Sequence, residues 1–204
     1  MIKKYILRAF VILAFFFTSP LYAENFLDEE RVNDTWTVSV VEIESTPTFV
    51  LASVNGKITH GDRFFIRVPI YNAEGCSYGS SGTTFYTISE THDVTKLSKK
   101  IIPAYFNKEN IYVESIYSRK FLNGHRTIFN MGSHKLEGLK TLFYNQKEVS
   151  LELLDDEDMT IKNYFDITKN SFSLNGIDAA LDRAKNECLR IINLNKIQED
   201  INND

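Results

Sequence analysis

The chain reads as α+β: a mostly antiparallel β-sheet or sandwich with a C-terminal helix packed on it and one additional short helix. Three observations predict this. Short runs of β-branched and alternating apolar residues recur from Thr35 to Thr168. Turn-forming pairs such as Asn55-Gly56 and Asn123-Gly124 separate them. Only at the end does a long apolar stripe step by three and four, and strands followed by a terminal helix is the α+β order.

Residues 1–23 come first. Lys3, Lys4 and Arg8 precede nine apolar residues, 9–17, and then Ser19-Pro20 and the small residue Ala23. That pattern predicts a signal peptide cut after Ala23. The apolar run is short of the roughly 18 residues that span a bilayer, so no integral membrane span is expected after cleavage. Residues 24–34 are acidic and polar and read as a flexible lead-in.

A single domain is expected over residues 35–192. Trp36, Val38 and Val40 alternate with polar residues, which predicts a half-buried strand. Residues 48–54 form the next strand, and Asn55-Gly56 reads as a hairpin turn into 57–59. Over residues 63–71, Phe64, Ile66, Val68 and Ile70 share a face, with Pro69 predicting an edge strand or a bulge. Residues 75–82, GCSYGSSG, read as a loop, and 83–89 as a strand. Residues 101–106 and 111–117 flank Asn107-Lys108-Glu109-Asn110 as a hairpin.

The short helix is expected from a Ser133 cap through Tyr144, on the spacing of Leu136, Leu139, Leu142 and Phe143. Residues 149–154 and 164–168 complete the strands. The closing helix carries Ile177, Ala180, Leu181, Ala184, Cys188, Ile191 and Ile192 on one stripe, with Asn175 as the expected N-cap. Residues 193–204 read as a fraying polar tail.

Charge narrows the function. The 204 residues carry −4. Removing the leader takes away three cations and no acid, leaving 20 basic and 27 acidic residues and a charge of −7. Such a chain has little with which to neutralise phosphate, so nucleic acid is excluded as a partner. Localisation is expected outside the cytoplasm, in the periplasm or extracellular space of a bacterium.

Two cysteines in an exported chain predict one structural disulfide, Cys76 to Cys188. Closing a loop of that length stabilises by roughly 4–5 kcal/mol in the chain-entropy model.

Four histidines, His60, His92, His125 and His134, show no H-x-x-x-H or H-E-x-x-H spacing, so neither a metal nor another cofactor is expected. Asp155–Asp158 lacks the glycine and ligand spacing of a calcium loop. Gly75-Cys76-Ser77-Tyr78-Gly79 matches the G-x-S-x-G nucleophile elbow, which requires a strand before the serine and a helix after it. The residues that follow start a helix poorly, so catalysis by Ser77 with one histidine, as a small extracytoplasmic serine hydrolase, is the alternative reading. Among ten Tyr and fifteen Phe, Tyr105, Tyr112 and Tyr117 lie in or beside one hairpin and are the candidates for a contact surface.

The segment Phe172-Ser173-Leu174-Asn175-Gly176-Ile177-Asp178-Ala179-Ala180, followed by Ala184 and Cys188, resembles the close of small exported bacterial proteins of the invasion-associated locus B type. The resemblance covers about 20 residues. It implies an accessory protein of the periplasm or the secreted space, sometimes linked to host colonisation, with no active site to carry over. The leading expectation is therefore a non-enzymatic exported protein that binds a protein or cell-envelope partner.

Overall fold

The computed structural model describes residues 25–89 and 91–203, so the expected signal peptide lies outside the described residues. Ten strands form one antiparallel sheet: β1 (Asn25–Val32), β2 (Trp36–Ile43), β3 (Thr46–Asn55), β4 (Arg63–Pro69), β5 (Tyr78–Thr87), β6 (Ile101–Phe106), β7 (Glu109–Phe121), β8 (Gly124–Lys135), β9 (Glu148–Leu153) and β10 (Lys169–Ser173). Helix α1 (Leu136–Phe143) follows β8, and α2 (Ile177–Asn203) closes the chain. The spatial order is β1-β2-β3-β4-β5-β8-β7-β6-β9-β10.

The sheet curls until its last strand, β10, comes back against the end of β3. Gly56, just past β3, bridges Phe172 of β10, and the Lys57 N–H donates to the Ser171 carbonyl across 2.9 Å. Alternation then sorts each strand into an inner and an outer face. Trp36 and Val38, Val50, Ala52 and Val54, and Phe64, Ile66 and Val68 point inward. There they meet Phe143 of α1, Phe172 of β10 and the apolar stripe of α2. The stripe is buried as expected, from Ile177 to Ile192. Phe64 is the hub, with Trp36, Phe106, Phe143 and Phe172 ring centroids 5.9–6.5 Å away. A second inner cluster gathers Phe85, Phe129, Phe165, Val113 and Leu151 under β5–β9.

Several local expectations are corrected. The expected flexible lead-in over 24–34 is strand at Asn25–Val32, where pairing with β2 satisfies the edge of that strand. Its charged residues suit an edge position. The GCSYGSSG segment is a short 3-10 turn, Gly75–Ser77, that runs straight into β5. Its glycines serve packing: a Cβ on Gly79 would lie 2.6 Å from Ile66, and one on Gly82 would lie 2.5 Å from both the Phe129 carbonyl oxygen and the Phe65 ring.

Pro69 neither marks an edge nor sits in a bulge. It is the last residue of central strand β4, beyond the ladder to β5, which ends at Arg67 and Ser80, so its missing N–H leaves no gap there. Asn55-Gly56 opens a longer connection over 56–62 and is not a two-residue turn. Ser133 lies in β8 and α1 begins three residues later, after Lys135. Residues 164–168 are irregular, following the 3-10 turn Ile161–Asn163. Gly176, with φ +85°, stands at the N-cap of α2 in place of Asn175, and its carbonyl accepts the first helical bond from Ala180. The polar tail is helical through Asn203.

Candidate functional site

The Cys76–Cys188 disulfide forms, with Cα atoms 5.7 Å apart. Both residues are fully buried. The bridge joins the turn before β5 to the middle of α2, so the helix is held to the sheet covalently as well as by its apolar stripe.

Ser77 sits at the end of the 3-10 turn, and its N–H donates to the Glu74 carbonyl. A strand, not a helix, follows it. Among the described residues no histidine hydrogen-bonds to Ser77. His60 lies in the β3–β4 connection with its Nε2 3.5 Å from the Asn55 amide, and His92 packs its ring on Tyr164. His125 and His134 lie nine residues apart on β8, opposite Thr87 and Gly79 near the two ends of the β5–β8 ladder. No group of three or more His, Cys, Asp or Glu that could hold a metal occurs among the described residues.

The tyrosines divide. On β6, Ile102 and Ala104 are buried in the inner cluster, so Ile101, Pro103 and Tyr105 face outward. On β7, Val113 points inward and Tyr112 outward. Tyr112 lies opposite Pro103, which makes it the diagonal neighbour of Tyr105 on one face. Tyr112 is 73% exposed and Tyr105 39%. Tyr117 does not join them. A β-bulge re-registers β7 after Ser115, and Tyr117 falls opposite Ile128 in a separate outer cluster with Val41, Leu51 and Phe65.

Register builds a row through Tyr105. It stands opposite Asn110 on β7 and opposite Glu152 on β9, and Glu152 stands opposite Lys169 on β10. Amide, phenol, carboxylate and ammonium thus cross four adjacent strands on the same face. The Lys169 ammonium donates to Glu152 Oε2 across 2.9 Å. Lys108 and Ser150 complete the lining of an open cleft of about 470 Å³.

Asn107 explains why β9 joins this hairpin. With Lys108 it adopts positive φ, 51° and 72°, which closes β6 onto β7 in two residues. Its N–H donates to the Ser150 carbonyl at 3.0 Å, and its Oδ1 accepts from the Ser150 N–H at 2.8 Å. One residue therefore makes the turn and docks the neighbouring strand. The sequence shows its turn role. Its clamp role had no sequence signal, because β9 is about 40 residues away in the chain.

A larger cavity of about 510 Å³ lies where β10 comes back against the end of β3, lined in part by Arg31, Asp34, Asn55, Lys57 and His60. Lys57 is held there by an ion pair with Glu148. Among the described residues no helix is long and apolar enough to cross a membrane.

No family model matches this chain, and no curated protein and no solved structure matches it.

Proposed function

We propose that the protein is exported and non-enzymatic, and that it binds a protein or cell-envelope partner through the outer face of β6, β7, β9 and β10. The observation that carries this reading is the outward row at Tyr105 with Tyr112 beside it. Tyr105 and Tyr112 are exposed side by side on adjacent strands, whereas Tyr71 and Tyr144, the other exposed tyrosines among the described residues, stand in connections outside the sheet. Tyrosine supplies contact area at a low entropy cost, and aromatic residues are enriched where partners meet. The buried disulfide and the leader pattern support placement in the periplasm or extracellular space of a bacterium. The resemblance of residues 172–188 to invasion-associated locus B proteins supports an accessory, colonisation-linked role.

Two measurements test this. Intact mass of protein recovered from the exported fraction, with and without reductant, should report cleavage after Ala23 and one disulfide. Capture of a partner from envelope extract should then be lost when Tyr105 and Tyr112 are both changed to Ala. Capture indifferent to that double change, or covalent labelling of Ser77 by a serine-reactive probe, would overturn the proposal.

A further inference from the structure

We infer that the cleft at Tyr105 is a saccharide site that takes consecutive hexose units of a glycan chain; this deepens, and rests on, the binding function proposed above.

A hexose offers an apolar C–H face and a rim of hydroxyls, each both donor and acceptor. The Tyr105 ring is a half-exposed apolar platform fixed on a strand. Beside it, Asn110 offers both a donor and an acceptor, and on its other side Glu152 offers acceptors only. Ser150 adds a hydroxyl, and Lys108 and Lys169 add donors at the rim. Planar amide and carboxylate groups can each meet two neighbouring hydroxyls.

Position matters as much as type. Backbone ladders on β6, β7, β9 and β10 hold the row, and the Glu152–Lys169 pair holds the carboxylate. Four adjacent strands span about 14 Å at the usual inter-strand spacing, which is longer than a single sugar ring. Tyr112, diagonal to Tyr105, places a second ring about 7 Å away on the same face.

The alternatives fit less well. A protein hot spot is a dry pocket that swallows an apolar anchor. This cleft is open, and its walls are polar apart from one ring. A polyanion is disfavoured by Glu152 in the centre of the row and by the acidic chain as a whole.

The test uses the folded, oxidised protein on an immobilised panel of neutral and uronic-acid oligosaccharides of two to six hexose units, followed by titration with the strongest binder. The expected result is retention of at least one neutral oligosaccharide, with the uronic-acid chains, which are polyanions, retained more weakly. Affinity should fall about tenfold or more in Tyr105→Ala and in Asn110→Ala, and stay within about twofold in Tyr105→Phe. Tyr144→Ala, at an exposed tyrosine after α1, is the control and should bind normally. No retention of any oligosaccharide, or retention indifferent to Tyr105→Ala and Asn110→Ala, would overturn the inference.

A second arm separates this inference from the reading beneath it. Envelope extract is treated with periodate or with protease before capture. Capture that is lost with periodate and in Tyr105→Ala supports a glycan. Capture that is lost with protease, survives periodate and still needs Tyr105 overturns the glycan while leaving the binding face in place. Capture indifferent to both tyrosines overturns both.

Discussion

Asn170 Nδ2 donates to Asp62 Oδ2 across 2.8 Å, with both residues sealed from water. The bond ties β10 to the connection between β3 and β4. Asn170 also donates to the Thr59 carbonyl and accepts from the Ile58 and Ser171 N–H groups. The other oxygen of Asp62 accepts from the Tyr86 N–H of β5 at 2.6 Å. A single buried pair therefore fastens the seam at which the curled sheet meets itself.

The seam makes stability depend on pH. Burial pushes the Asp62 carboxyl up from 3.8 to about 6, against the opposing pull of Asn170, the Tyr86 N–H and Arg126. A carboxyl raised in the folded state binds its proton more tightly there than in the unfolded chain. Its contribution is complete below about pH 4 and is lost as pH rises through about 6. Two pH units correspond to about 3 kcal/mol. Denaturant titrations at pH 4 to 7.5 should show this loss in the wild type. Asp62→Asn should remove that part of the slope, although its extra buried donor lowers stability at every pH. A slope that persists unchanged in Asp62→Asn would refute the assignment.

Asn170→Ala should cost about 2–4 kcal/mol, because it leaves the Ile58 N–H and one oxygen of the buried Asp62 carboxyl without their partner and takes from the Thr59 carbonyl one of its two donors, the Asp62 N–H remaining. It should also steepen the pH dependence, since the Asn170 bond holds the Asp62 carboxyl down. Gly56→Ala attacks the same seam from the side. A Cβ there would lie 2.3 Å from Asn170 Nδ2 and 2.7 Å from the Thr59 carbonyl oxygen. Thermal melts of both variants check this, and a loss below about 1 kcal/mol in each would argue that the seam is dispensable.

The seam also marks the limit of what the sequence discloses. The inward alternation of β2 and β4 and the stripe of α2 are legible because each depends on periodicity within one element. Asp62 reads only as part of a turn, and Asn170 carries no signal at all, because their meaning arises from a contact 108 residues apart. The glycines of β5 mislead for a related reason. Gly79 and Gly82 look like loop residues, yet they are required by Ile66, Phe65 and the Phe129 backbone, which reach them across the sheet. Tyr105 and Tyr112 are recoverable from their hairpin, whereas the β9 and β10 members of their row are not. Pairing between distant strands is invisible to local pattern.

The Cys76–Cys188 bridge closes a separation of 112 residues, so replacing both cysteines by Ala should lower stability by about 4–5 kcal/mol, less any relief of native strain. Because both cysteines are fully buried, reductant should act slowly on the folded protein and quickly once denaturant opens it. Following thiol release with time at several denaturant concentrations checks this. Rapid reduction under native conditions would show that α2 detaches from the sheet on its own.

The far end of α2 should matter far less. Ile191 and Ile192 are its last buried residues, and residues 193–201 are all exposed. Leu194, Ile197 and Ile201 lie on a side of the helix turned away from the stripe that meets the sheet. A stop after Asn193 removes no core contact and shortens a helix already anchored by the disulfide and by Ile177, Leu181 and Ala184. The truncated protein should therefore unfold within about 1 kcal/mol of the full chain. Ending the chain after Cys188 instead removes the buried Ile191 and Ile192, and that should cost about 2–5 kcal/mol. Parallel denaturant curves for the two truncations decide the matter, and equal losses in both would mean that the exposed turns carry stability that their surroundings do not explain.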